Sequence, residues 1–171
     1  MKIMSATQAA ALVQDGDTIL VGGSGNGHAV PESIMAAIEQ RFLAEGHPRN
    51  ITSIHPVGLG DKAGKGASHF AHAGLLKRIV CGTYVDSPAV ADMAARNEIE
   101  AYTLPQGAIS LLIREIAGGR PGLITHTGLN TFVDPRLGGG RQSAKATEDL
   151  IEVISLAGRE WLFYKPFPIQ V

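Results

Sequence analysis

Short apolar runs alternate with helix-like segments over the first two thirds of the chain. Strand-like runs are found at residues 18–21, 51–55, 78–82 and 99–102. Segments with helical spacing are found at residues 5–13, 31–46, 88–97 and 106–117. Parallel strands need long crossover connections, which are usually helices. The alternation therefore predicts an α/β fold: an open, mainly parallel sheet flanked by helices, with ligands at the carboxyl ends of the strands.

Local signals mark the ends of the predicted helices. Ser5 and Gln8 form a capping-box pattern at the start of the first helix. Pro31 suits the first position of the second helix, whose apolar residues recur every four positions. Ser87 is predicted to cap the third helix. The second helix presents Ile34, Ile38 and Phe42 on one face, and the fourth presents Ile109, Leu112, Ile113 and Ile116.

The last quarter of the chain does not continue the alternation of strand-like and helix-like segments. Residues 125–146 are loop-like and contain a triple glycine at 138–140, and the apolar runs 150–156 and 161–164 flank a turn at 157–159. These two runs are predicted to form a hairpin. Residues 166–171 end the chain on a strand-like segment. We therefore expect residues 1–171 to be one domain and a fragment of a longer, two-domain protein.

Composition narrows the possible partners. The 171 residues are 44% hydrophobic, and 15 Lys and Arg balance 16 Asp and Glu to a net charge of -1. This balance predicts neither a nucleic-acid interface nor a membrane-surface patch. Cys81 is the single cysteine, which excludes an intrachain disulfide and favours a reducing compartment; we expect it to be a buried thiol on a strand. Because the amino terminus has no apolar signal core, the predicted location is cytoplasmic.

Two glycine-rich loops follow the first two strands. The first can present backbone N–H groups to a phosphate or thioester oxygen, or it is simply a tight strand-to-helix turn. Its residues are Gly22, Gly23, Ser24, Gly25, Asn26 and Gly27. It lacks the lysine of a P-loop, and the second strand lacks the acidic residue that a dinucleotide site requires. The second loop contains Gly58 and Gly60 beside Lys62 and Lys65, and it can meet ligand phosphates or be a solvated, mobile loop.

The histidines do not predict a metal site. His69 and His72 are three residues apart and have no obvious carboxylate companion in the sequence, and His55 lies on the second strand. We expect His69 and Phe70 to pack a loop against the sheet.

Two further segments carry polar groups suited to catalysis or binding. Gln106 and Gly107 link a strand end to a helix start, where the Gln106 amide can donate to a developing oxyanion or cap the helix. Thr127, Gly128 and Asn130 follow a strand and can hold a carboxylate or form a polar turn.

Several long strings in the same order resemble family I CoA transferases, particularly the single-chain enzymes that accept acetate or propionate. The resemblance covers essentially the whole chain. It is carried by residues 15–18 with Pro31-Glu32, 69–72 with 74–78, 106–108, 131–136 with the triple glycine, 162–164 and 167–169. The first loop differs from the family pattern, since Gly22-Gly23-Ser24 stands where Gly-Gly-Phe or Ser-Gly-Phe is usual.

The resemblance implies transfer of CoA between a short-chain acyl-CoA and a carboxylic acid through a glutamyl-CoA thioester, in an oligomeric enzyme. The nucleophilic glutamate belongs to the family's C-terminal half, and Glu45 before Gly46, the nearest match here, is interpreted as a solvated helix-end residue. Gln106 would contribute to the oxyanion hole and the glycine loops would bind CoA. The family requires no metal and no permanently bound cofactor. The alternatives are a non-catalytic module that binds a sugar phosphate or CoA on the same fold, and an oxidoreductase, for which the acidic ribose anchor is missing.

Overall fold

Four parallel strands form the central sheet of the computed structural model, which describes residues 3–23 and 28–171. They are β1 (Thr18–Leu20), β2 (Ile51–His55), β3 (Leu76–Cys81) and β4 (Glu100–Thr103). The strands lie in chain order, with Ile54 opposite Val80 and Val80 opposite Tyr102. The parallel sheet predicted from the alternating pattern is confirmed.

Helices lie between or before the strands, close to the predicted positions. They are α1 (Ala6–Ala10), α2 (Glu32–Glu45), a 3₁₀ helix (Gly66–Phe70), α3 (Pro88–Ala95) and α4 (Gln106–Ala117). The capping box is present, because the Ser5 hydroxyl accepts from the Gln8 N–H and the Gln8 side chain accepts from the Ser5 N–H. Helix α1 nevertheless ends at Ala10, before the predicted Val13.

Three helix predictions need correction. Pro31 lies just before α2 and not in its first turn. Ile34, predicted on the buried face, is 39% exposed, and Met35 and Ile38 are the buried residues of this helix. Ser87 precedes α3 as predicted, but its hydroxyl donates to the Leu59 carbonyl at 2.8 Å and does not cap the helix. For Ser87, the tertiary contact with Leu59 replaces the predicted cap.

Two hydrophobic cores lie on opposite faces of the sheet. Ile79 and Cys81 of β3 point towards α1, α2, α3 and the 3₁₀ helix, whereas Val80 points towards α4. Successive strand residues face opposite sides, so one strand supplies both cores. Right-handed crossovers between strands in chain order place the connecting helices on one face. The other face is consequently free for α4 and the C-terminal part of the chain.

The C-terminal part forms a second sheet. Strands β5 (Leu123–Thr125), β6 (Ile151–Leu156) and β7 (Arg159–Tyr164) pair antiparallel in the order β5-β7-β6. The hairpin prediction is confirmed. The addition of β5 to it was not predicted.

Irregular segments cover both edges of the parallel sheet. The Thr103 N–H donates to the Gly140 carbonyl and the Gln142 N–H donates to the Ala101 carbonyl, both at 2.8 Å, so the triple-glycine segment runs beside β4. On the other edge, the Leu20 N–H donates to the Val171 carbonyl at 2.8 Å. These bonds satisfy backbone groups that an open edge would expose.

Gly60→Ala should destabilise the fold. A methyl group at Gly60 would lie 2.1 Å from the Asp86 carbonyl oxygen and 2.6 Å from the Ser87 hydroxyl, so backbone must shift. Overpacking of this kind costs about 1–3 kcal/mol. Gly64→Ala is the matched control, because no atom lies within 4 Å of its added methyl group. Urea unfolding should show a lower midpoint for Gly60→Ala alone, and equal midpoints for the two variants would contradict this packing.

Candidate active site

Three of the predicted site segments lie at one edge of the parallel sheet, together with Gly82, which was not predicted. Gly22 follows β1, Gly58 follows β2, Gly82 follows β3, and Gln106 follows β4. Because all four strands run in the same direction, their carboxyl ends lie side by side, which is where open α/β sheets bind ligands. Residues 24–27 of the first loop lie outside the described residues.

Gln106 is exposed at the beginning of α4. It is the first residue of the helix, and no side chain of the described residues caps this helix. The capping alternative is therefore not observed. A methyl group built on Gly107 would meet open space, and one built on Gly82 would lie 3.4 Å from the Gln106 Cβ atom. Gln106 thus lies beside the end of β3 as an exposed residue.

A cleft of about 300 Å³ connects Gln106 to the loop that follows β5. Its other walls include Gly128, Thr131 and Phe132. Gly128 has a φ of +101°, and the Tyr164 hydroxyl would lie only 2.8 Å from an added methyl group, so only glycine fits here. The structure therefore brings together residues from two of the predicted segments, 106–107 and 127–130.

Thr127 and Asn130 contribute to the shape of this loop. The Thr125 and Thr127 hydroxyls hydrogen-bond to each other at 3.1 Å, and the Thr127 carbonyl accepts from the Tyr164 hydroxyl at 2.7 Å. Asn130 has a φ of +58°, and its N–H donates to Asp134. These contacts are those of a polar turn, and a direct contact of either residue with a ligand stays a prediction.

Asp134 holds the loop that follows β5 from the protein interior. It is fully buried and accepts two hydrogen bonds from the Arg136 guanidinium, at 2.9 and 2.8 Å. Its two oxygens also accept the backbone N–H groups of Asn130 and Arg136. The Arg136 guanidinium holds the pKa of the Asp134 carboxyl well below its usual range, so the anchor stays charged. Residues 131–136 carry part of the resemblance, but their sequence does not predict this role.

The two loops with proposed CoA contacts differ in exposure. Gly58 and Gly60 are buried against Asp86 and Ser87, which accounts for glycine at both positions. Gly22 and Gly23 are exposed, although a methyl group on Gly23 would lie 2.6 Å from the Ala29 carbonyl oxygen. Binding of CoA at these four glycines stays a prediction.

The lysine-bearing part of the second loop is ordered by Asp61. One Asp61 carboxylate oxygen accepts the backbone N–H groups of Ala63, Gly64 and Lys65 at 2.9, 3.0 and 3.1 Å. The hydrogen bond from Lys65, with the other two, lowers the pKa of Asp61. Lys62 and Lys65 remain exposed at the carboxyl edge of the sheet, where they can meet an anion.

Three titratable residues outside the cleft behave as structural groups. Cys81 is fully buried on β3, as predicted, and burial raises the pKa of its thiol. His55 is fully buried on β2, and desolvation lowers its pKa to about 4, so the ring is neutral. Glu45 is the last residue of α2 with a side chain 62% exposed, which confirms its interpretation as a solvated helix-end residue.

The cleft at the other edge of the sheet differs from the one beside Gln106. A cleft of about 530 Å³ lies at the opposite, amino-terminal edge of the strands. Its lysines are already paired, Lys77 with Glu100 and Lys145 with the Glu98 carbonyl.

Within residues 3–23 and 28–171, no group of three or more His, Cys, Asp or Glu side chains could hold a metal ion. No helix in that part of the chain is long and apolar enough to span a membrane.

Comparison with known proteins identifies the family. The model of the coenzyme A transferase family matches residues 3–169, and this chain belongs to that family. It is 37% identical over 95% of its length to acetate CoA-transferase YdiF of Escherichia coli K12, of which it covers 31%. It is 41% identical over 99% of its length to caffeate CoA-transferase of Acetobacterium woodii, of which it covers 32%. The chain thus spans about a third of the length of these relatives.

Solved structures agree with this assignment. The acyl-CoA transferase YdiF of E. coli O157:H7, crystallised as a thioester complex with CoA, superposes with a TM-score of 0.89 at 36% identity, over 96% of this chain and 32% of that one. Glutaconate CoA-transferase of Acidaminococcus fermentans superposes with a TM-score of 0.68 at 14% identity, over 97% of this chain and 54% of that one, which shows the shared fold alone.

The histidine prediction needs one correction, because carboxylates do accompany His69 and His72. The His69 ring contacts Glu39 through Nδ1 at 2.5 Å and Glu32 through Nε2 at 2.8 Å, and His72 Nε2 contacts Glu39 at 2.6 Å. The second Glu32 oxygen accepts the Gly66 N–H at 2.9 Å, at the end of the lysine loop. Both carboxylates come from α2, 30 or more positions earlier, which the sequence spacing does not reveal.

These contacts require His69 to be protonated. Each ring nitrogen faces a carboxylate oxygen, and only the imidazolium has an N–H on both. Burial lowers the pKa of His69, but the hydrogen bonds to Glu32 and Glu39 raise it by more, to above the ordinary 6.5. Burial likewise raises the pKa of Glu39, and the bonds to His72 and His69 lower it by more.

We expect His69 to make stability depend on pH. Because its pKa is raised on folding, its contribution is complete below pH 6.5 and is lost as the pH rises through the higher folded value. His69→Gln should lower the free energy of unfolding by on the order of 1 kcal/mol at pH 6 and by less at pH 8.5. Urea unfolding at both pH values measures this, with His28→Gln at an exposed position as control. An equal loss at both pH values would contradict a protonated His69.

Proposed function

We propose that this chain is the N-terminal half of an enzyme that transfers CoA between a short-chain acyl-CoA and a carboxylic acid. The observation that carries the proposal is the cleft at the carboxyl edge, in which the exposed residue Gln106 lies opposite a loop fixed by a buried carboxylate. The names of the relatives, acetate and caffeate CoA-transferases, support CoA transfer with monocarboxylic acids, and the acetate enzyme supports a short acyl chain. The glutamate nucleophile would come from a C-terminal half, and the complete enzyme would be a cytoplasmic homo-oligomer.

In the proposed reaction the glutamate carboxylate attacks the acyl-CoA carbonyl, and the CoA thiolate leaves. The resulting acyl-glutamyl anhydride is attacked by that thiolate at the glutamyl carbonyl, which releases the acyl carboxylate and forms a glutamyl-CoA thioester. An acceptor carboxylate reverses the two steps. Each attack places negative charge on a carbonyl oxygen, and a fixed amide donor such as Gln106 would stabilise that charge.

The division between two halves can be tested directly. Residues 1–171 alone should show no CoA transfer from acetyl-CoA to propionate, because the cleft would lack its nucleophile. Co-production with the C-terminal half should give turnover, and borohydride should inactivate the enzyme only after exposure to acyl-CoA, because it reduces the glutamyl thioester. Transfer by residues 1–171 alone would refute the division. Binding of sugar phosphates without any response to CoA would favour the non-catalytic alternative.

Gln106→Ala in the complete enzyme should lower kcat by a factor on the order of 10² to 10³, the usual loss for one oxyanion donor. Stability should change little, because no side chain of the described residues caps α4. Gln40→Ala, at an exposed position on α2, is the matched control. Steady-state kinetics and thermal unfolding of all three proteins test this. A near-normal kcat together with a large loss of stability would assign Gln106 a structural role.

A further inference from the structure

Phe132 is an exposed aromatic residue in an otherwise anchored segment. Its side chain is 53% exposed, whereas the next two residues, Val133 and Asp134, are 1% and 0% exposed. Isolated exposed apolar residues are common on protein surfaces. Phe132 differs in its location, because it forms a wall of the cleft that contains Gln106.

The backbone around Phe132 is held on both sides. The Phe132 carbonyl accepts the Gly140 N–H at 3.0 Å, and the Thr131 hydroxyl donates to the Gly128 carbonyl at 2.7 Å. The buried Asp134 carboxylate fixes the segment through its hydrogen bonds with the Arg136 guanidinium. The exposed ring is therefore carried by a preorganised loop, as a side chain that selects ligands by size requires.

Phe132 also borders a second cleft, of about 370 Å³. Thr103 and Phe132 line both clefts, and Leu137, itself 62% exposed, lines the second. The Phe132 ring thus lies between the cleft of Gln106 and a neighbouring space of similar size. Removal of the ring would join the two.

The charged side chain of the second cleft is already paired. Arg141 donates to the Gly138 carbonyl at 3.1 Å and to the Asp149 carboxylate. Among the described residues that line the two clefts, Arg141 is the sole cation. A second carboxylate on an acyl chain would therefore find no free positive charge on these walls, and burying it unpaired would be costly.

We propose that Phe132 determines the length of the acyl chain that the enzyme accepts, an inference that rests on the function proposed above. With the thioester carbonyl at Gln106, the acyl chain extends along the Phe132 ring, which limits it to short, uncharged apolar tails. The second cleft is the space that longer tails would occupy if the ring were absent. Dicarboxylic acyl groups are disfavoured because the walls have no free cation.

The test compares kcat/KM for acetyl-, butyryl-, hexanoyl- and succinyl-CoA in the complete enzyme, with propionate as acceptor. Wild type should prefer butyryl-CoA to succinyl-CoA, which has the same number of acyl carbons and a second carboxylate. Phe132→Ala should raise the ratio of hexanoyl-CoA to acetyl-CoA by about 10-fold or more, the scale on which apolar pockets discriminate chain length. Phe132→Trp should lower that ratio.

Leu111→Ala is the control, because Leu111 is 49% exposed on α4 and does not line either cleft. A purely structural role of Phe132 would change all four substrates by the same factor. Unchanged ratios in an active enzyme, or a preference for succinyl-CoA, would overturn the inference. If Phe132→Ala does not fold, Phe132→Trp still tests it. Absence of CoA transfer by wild type with all four donors would instead refute the proposed function.

Discussion

Parallel backbone pairing of four strands in chain order is the constraint on which the rest of this domain depends. It places every strand's carboxyl end at one edge, so that loops distant in sequence become neighbours there. It also directs the crossover helices to one face of the sheet. Helix α4 and the antiparallel sheet consequently pack on the other face, where Val80 and Tyr102 meet them. The cleft beside Gln106 forms where this second layer reaches the carboxyl edge.

Carboxylates fix the loops at this edge. Asp61 accepts three backbone N–H groups of the lysine loop, Glu32 accepts the Gly66 N–H at its end, and Asp134 holds the loop of Phe132. Backbone N–H groups in a loop lack the carbonyl partners that a helix or sheet provides. Each carboxylate supplies an acceptor for them, and such an acceptor is needed where the segment is buried or crowded. Gln106 and Phe132, which are proposed to contact ligands, are both exposed at this edge.

The fold could be predicted largely from the sequence because its information is local. Periodicity identified the four parallel strands, the hairpin and the helices, and the Ser5–Gln8 capping box was found in place. The errors arose where distant contacts decide. Ser87 bonds to Leu59, 28 positions away, and His69 bonds to Glu39, 30 positions away. The same holds for the site. Gln106 could be predicted from its position between a strand and a helix, which is local information. That Phe132 lines the same cleft as Gln106 depends on how the second sheet packs, which is not local.

The position of Gln106 gives its amide a further physical advantage. The first backbone N–H groups of a helix have no intrahelical partners, and the aligned peptide dipoles leave a partial positive charge at this end. Helix α4 has 12 residues and begins at Gln106, so this charge lies at the mouth of the cleft. In the proposed reaction, negative charge that develops on a carbonyl oxygen there would meet both the side-chain donor and the helix terminus. Since α4 is fixed by Ile109 and Leu112 in the core, neither would need to reorganise during the proposed reaction.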